Sequence, residues 1–119
     1  MKTHTVAILG SRDLAPQFAP TVAAAVRAFA PTSFFVSTCG RGACAFARDA
    51  FKTAGLRWSA FVASAHTPGA LVARSCACVR SSSVTVVFLS HPKSIGSNNE
   101  MRLAASLGLH VVAVPCGFA

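Results

Sequence analysis

Acidic residues are what this sequence has least of. Among 119 residues there are three, Asp13, Asp49 and Glu100, against 11 Lys and Arg, a formal net charge of +8. That sign favours anionic partners such as phosphates, nucleotides, nucleic acid or an acidic membrane surface, and is silent about fold. Aromatic platforms are scarce too, with one Trp and no Tyr. The basic residues are scattered rather than gathered in a run, so the chain lacks the stacking-plus-basic-groove signature of a single-strand binder. No long apolar run is present. The opening "MKTHTVAILGSR" holds one Lys and an apolar stretch too short to span a bilayer, and it leads into a polar turn rather than a cleavage site. The five cysteines, Cys39, Cys44, Cys76, Cys78 and Cys116, are odd in number and follow no framework spacing. Reduced thiols and a cytoplasmic location are the expectation. Cys76 and Cys78 stand two apart on a helical stretch and point to different sides, so no metal site is expected from them. Fixed-period repeats and low-complexity segments are also missing.

What is present is a regular alternation. Charged residues are only 12% and hydrophobic ones 53%, enough for one core, and 119 residues suit a single domain over 1–119. Short apolar runs read as strands at "HTVAIL", "SFFVST", "WSAFVA", "VTVVFLS" and "LHVVAV". Helical stretches lie between them: an Ala-rich one after Pro20 and stopped by Pro31, "GACAFARDAFKTAG" with Gly55 as its terminal cap, "GALVARSCACVRSS", and "SNNEMRLAASLG" with Ser97 or Asn98 as N-cap. Strands apolar on both faces imply a sheet covered on both sides. The expected fold is therefore α/β, a single Rossmann-like three-layer domain with an open parallel sheet of about five strands. Ligands of such sheets bind beyond the carboxyl ends of the strands, which directs attention to the four loops there.

The first loop is "GSRD", where Gly10 allows a tight turn and Ser11 and Arg12 can meet an anion. The second, "STCGRGACAFA", sets Gly40 and Gly42 around Arg41 at the start of a helix, so that small residues and the helix dipole can approach a negative charge. It is neither a P-loop, since no G-K-[ST] follows, nor a complete dinucleotide fingerprint. In the third, "SAHTPG", His66 can contact a ligand or simply be solvated, and Arg74 in the following helix either snorkels or reaches into the cleft. The fourth, "SHPKSIGSNNE", carries Ser90, His91 and Lys93, then Gly96, Ser97 and Asn98 at a helix start, a second phosphate cradle. Glu100 reads two ways. S-x-x-E from Ser97 forms a capping box, and the same carboxylate faces the cradle.

Three of these motifs, in order, resemble the SLOG superfamily, which includes the SMF/DprA DNA-processing proteins, the LONELY GUY phosphoribohydrolases and small YspA-like proteins. "GSR" is similar to the family's first-strand motif, "STCGRGACAFARDAFKTAG" to its S-G-G-A-R-G-A-D-x-x-A segment, and "SIGSNNEMRLAASLGLHVVAV" to its S-x-G-T-x-x-E helix and final strand. The resemblance implies a nucleotide or nucleotide-derived phosphate ligand, with Gly10, Ser11, Arg12, Gly40, Arg41 and Gly42 lining the pocket. Gly96, Ser97 and Asn98 would hold a phosphate or ribose, and Cys39 and Ser90 at the same strand ends join the ligand-binding set. No cofactor is implied. In the hydrolase branch an Arg and the Glu of G-T-x-x-E cleave an N-glycosidic bond, and Arg74 and Glu100 occupy those places. The hydrolase pattern P-G-G-x-G-T-x-x-E is "PKSIGSNNE" here, with Cys39 for a Gly and Cys44 for an Asp in the second motif, which puts the chain nearest the small stand-alone binding domains. The expectation is thus a ligand-binding module, with a nucleoside 5′-monophosphate phosphoribohydrolase as the alternative and a DprA-like DNA-binding protein as the second. A homodimer is expected from the apolar surface of "FARDAFKTAG" and "ALVARSCACV".

Overall fold

Each apolar run becomes a strand of one parallel sheet in the computed structural model, which describes residues 5–29, 33–65 and 67–118. The strands are β1 (Thr5–Gly10), β2 (Ser33–Ser37), β3 (Trp58–Phe61), β4 (Val84–Leu89) and β5 (His110–Pro115). Four helices alternate with them: α1 (Ala19–Phe29), preceded by a short 3-10 turn at Pro16–Phe18, α2 (Ala43–Ala54), α3 (Pro68–Arg80) and α4 (Ile95–Ser106). The spatial order is β3-β2-β1-β4-β5, and every neighbouring pair is parallel. The readings of Pro31 as a helix stop, His4 as a strand start and His66 as a ligand contact lie outside the described residues.

The topology follows from the handedness of crossovers. The chain steps outward from β1 through β2 to β3, then returns past β1 to β4 and β5, and right-handed connections then put the first two helices on one face and the last two on the other. α1 packs beside α2 and α3 beside α4, as that rule requires. The result is the three-layer Rossmann-like arrangement. Strand order reverses between β1 and β4, and the crevice at the carboxyl ends of that pair is the topological switch point.

Burial follows position in the sheet. Val6, Ala7, Ile8 and Leu9 in β1, and Val86, Val87 and Phe88 in β4, are essentially sealed from solvent. α2 is fixed by aromatic packing. The Phe51 ring lies 4.8 Å from that of Phe34 and 5.8 Å from that of Trp58, and Lys52 Nζ sits 5.9 Å from the Trp58 ring. Gly55 ends the helix with φ +65, the left-handed cap that its residue type favours. Anchored at that end, α2 holds its N-terminus against the end of β1.

Candidate functional site at the β1–β4 switch point

The chain leaving β1 is gripped from both sides. A Cβ at Gly10 would collide with the Phe88 carbonyl oxygen and lie 2.8 Å from Ala43 Cβ. The next amide, Ser11 N–H, donates to Phe88 O at 2.9 Å, and Ser11 O accepts from Ala43 N–H at 3.2 Å. Gly42, with φ +76, faces the same segment, and a Cβ there would collide with Ser11 O and sit 2.6 Å from Arg12 O. Both glycines are therefore required by close backbone approach. They bring the loops after β1 and β2 together.

Ser11 ties in the loop after β4. Its side chain is almost entirely buried, accepts the Ser90 N–H at 3.1 Å and donates to Ser94 Oγ at 3.2 Å. Ser90 Oγ in turn donates to Asp13 Oδ1 at 2.6 Å. Residues 10–13, 39–43 and 90–97 thus meet along one rim. Arg48, on α2, holds the exit of β2 in place: Nη1 donates to Ser37 O at 2.6 Å and Nη2 to Cys39 O at 2.7 Å. Cys44 lies beneath, accepting from Ser37 Oγ at 3.2 Å, and burial pushes its thiol pKa up.

Two cavities open at this rim. The first, of about 470 Å³, has Gly10, Ser11 and Arg12 on one side, Cys39 and Cys44 beneath, Leu71, Val72, Arg74, Ser75 and Cys76 of α3 on another side, and Gly96, Ser97 and Glu100 of α4 on the last. The second, of about 530 Å³, contains Gly40 and Arg41 and shares Arg12, Cys39, Leu71 and Arg74 with the first. Both fall within the size range of small-molecule sites. Of the candidate residues, three stand outside the cavity walls. Gly42 packs beneath them. Ser90 is engaged with Asp13. The Asn98 amide donates to Pro92 O at 3.1 Å and Ser94 O at 2.8 Å, closing the loop ahead of α4. Gly40 and Gly96 differ from Gly10 and Gly42, because a Cβ at either would meet nothing within 4 Å.

The capping-box reading of Glu100 is corrected. α4 begins three residues earlier than a Ser97 N-cap would give and four earlier than an Asn98 one, with Ser94 as N-cap and no acidic residue in the first turn. Ser97 and Glu100 are one turn apart inside the helix, and Glu100 lies in the second turn with its carboxylate turned to the cleft. Burial raises its pKa from the ordinary 4.5 to about 7, while the Ser75 hydroxyl and the Arg74 charge pull the other way. Arg74 Nε is buried without a hydrogen-bond partner, and it is the one such side-chain atom among the described residues. An orphaned donor on a charged group is costly to leave unmade. A carboxyl poised near neutrality beside a guanidinium can accept or donate a proton at physiological pH.

Sequence reasoning missed Arg48 and Ser94. Arg48 reads as an ordinary solvent-facing helix residue, and the only available signal was its place one turn beyond a Gly-rich loop whose carbonyls need donors. Ser94 acts through Ser11, 83 positions away. No protein-family model matches the chain, and neither do any curated protein nor any solved structure. No helix among the described residues is long and apolar enough to cross a membrane.

Proposed function

We propose that this cleft binds a nucleotide or nucleotide-derived phosphate ligand, as a SLOG-like module. The observation that carries the reading is the convergence of three strand-end loops on one cavity at the switch point, whose lining includes both Arg12 and Arg74. Apolar sides from Leu71, Val72 and Leu103 suit a base or sugar, and guanidinium groups suit a phosphate. The resemblance of the three motifs to the SLOG pattern supports the same ligand class. Calorimetric titration with the ribonucleoside 5′-monophosphates tests it: saturable binding with at least one base is expected, and no heat with any base at millimolar ligand would refute it.

A second reading is favoured by Glu100 specifically. With its capping role removed, this carboxyl lies in the field of Arg74 and the Ser75 hydroxyl, and burial keeps its pKa raised. In a phosphoribohydrolase it would stabilise the oxocarbenium character of the ribose or position a water, while Arg74 holds the phosphate or base side. Chromatographic detection of free base, abolished in Glu100→Gln, supports hydrolysis; binding without base release supports the module. The homodimer expected from the apolar surface of "FARDAFKTAG" and "ALVARSCACV" stays a proposal, and a monomeric mass by sedimentation would remove it.

A further inference from the structure

We propose that the second cavity is a separate anion compartment of the same site and that the ligand is of the diphosphate class, its terminal phosphate held there by Arg41 together with Arg12 and Arg74. This rests on the reading of the first cavity as a nucleotide cleft. The two compartments differ in charge. The first combines Arg12 and Arg74 with the carboxylates Asp13 and Glu100. The second is lined by three arginines and no acidic residue, and its remaining lining is small or apolar, including Gly40, Ala63 and Ala65. Gly40 has open space around its missing Cβ, so the backbone at the cavity edge is accessible to a ligand oxygen. Arg74 borders both compartments, so one guanidinium-bearing side chain is common to the two.

Charge matching selects the ligand. A phosphate monoester carries about −1.5 to −2 at neutral pH, less than three guanidinium charges, whereas a diphosphate adds a further ionised oxygen and a second planar set of acceptors. Guanidinium groups bind such oxygens in bidentate fashion. The shared wall of Arg12 and Arg74 then lies where the bridge between the two phosphates passes, with base and ribose against Leu71, Val72 and Leu103 in the first cavity.

The test is calorimetric titration of the full chain with inorganic phosphate, inorganic pyrophosphate, and the ribonucleoside 5′-mono- and diphosphates. The diphosphate of the preferred base is expected to bind about tenfold or more tighter than its monophosphate, and pyrophosphate tighter than phosphate by a similar factor. Arg41→Ala and Arg41→Gln, on an exposed loop residue, are each expected to collapse that ratio to about twofold or less. Their thermal melts report whether the fold is retained. Equal affinity for mono- and diphosphates in the wild type, or a ratio that survives both folded variants, overturns the proposal and leaves the nucleotide cleft standing. Pyrophosphate binding that depends on Arg41, with no nucleotide bound, would keep the anion compartment and refute the nucleotide reading. Absence of binding by every probe refutes both.

Discussion

The hydroxyl of Ser11, one residue past β1, donates to the hydroxyl of Ser94, the N-cap of α4, across 3.2 Å. The same oxygen accepts the Ser90 amide. One small side chain therefore couples the end of the first strand to the start of the last helix and sets the spacing of the cleft walls. Ser11→Ala strands the Ser90 N–H and is expected to lower stability by about 1–3 kcal/mol, read by urea denaturation. Ligand affinity is expected to fall further than the stability loss explains, since α4 is released from β1. A variant of unchanged stability would show that the Ser11 bonds carry no weight.

The glycines separate into two kinds. Gly42→Ala forces a Cβ into the carbonyls of Ser11 and Arg12 at a positive φ. Its expected cost is roughly 2 kcal/mol or more, seen as a lowered thermal midpoint. Gly40→Ala and Gly96→Ala have room, and Gly96→Ala in the first turn of α4 is expected to be neutral or slightly stabilising. Both intrude on the cavity space instead, so their effect is expected in binding and not in the melt. Equal melting points for Gly42→Ala and Gly40→Ala would contradict the close approach of the two loops.

Glu100 gives stability a pH signature. Its pKa rises from 4.5 to about 7 on folding, so the folded state binds this proton more tightly than the unfolded chain. The contribution is present in full below about pH 4.5 and is lost as pH rises through about 7. The size of this loss is on the order of 3 kcal/mol. Denaturation curves at steps from pH 4.5 to 8 check it against Glu100→Gln, which is expected to flatten the slope and to be the more stable protein at pH 8. A slope that persists in Glu100→Gln would assign the effect elsewhere.

Thiol reactivity maps the cleft. Cys39 and Cys76 are half-buried and line the first cavity, whereas Cys44, Cys78 and Cys116 are buried. Burial also pushes the Cys44 and Cys78 thiol pKa values up, which removes thiolate and slows alkylation further. Iodoacetamide at pH 8, followed by mass spectrometry, is expected to modify Cys39 and Cys76 first, and a bound nucleotide to protect both. Fast modification of Cys44 or Cys78 would contradict the packing.

The strands were readable because the parallel sheet buries both faces of β1 and β4, and runs such as Val6–Leu9 and Val84–Leu89 have no other use. Gly55 announced the end of α2 through its residue type alone. The start of α4 was not readable. Ser97, Asn98 and Glu100 satisfy the local grammar of an N-terminus, yet Ser94 takes the N-cap position with no side-chain cap bond, its hydroxyl accepting instead from Ser11 at the other end of the chain. A contact across 83 positions leaves no local trace. The site divides likewise: residue type and strand-end position pointed to Gly10, Ser11 and Arg12, and the SLOG resemblance to Arg74 and Glu100, all of which line the first cavity, whereas the roles of Gly42, Ser90 and Asn98 as packing and bracing groups depend on distances that only the fold fixes. Arg48 escaped notice because a helical arginine looks the same whether it meets water or two carbonyls.

The most direct measurement is an amide chemical-shift titration of the isotope-labelled protein with a nucleoside 5′-monophosphate and its diphosphate. Perturbations centred on residues 10–13, 39–43, 71–76 and 94–100, saturating with ligand, are the result expected. Unmoved amides in those four segments at millimolar nucleotide, or shifts gathered on another face of the sheet, would contradict the assignment of the β1–β4 cleft as the binding site.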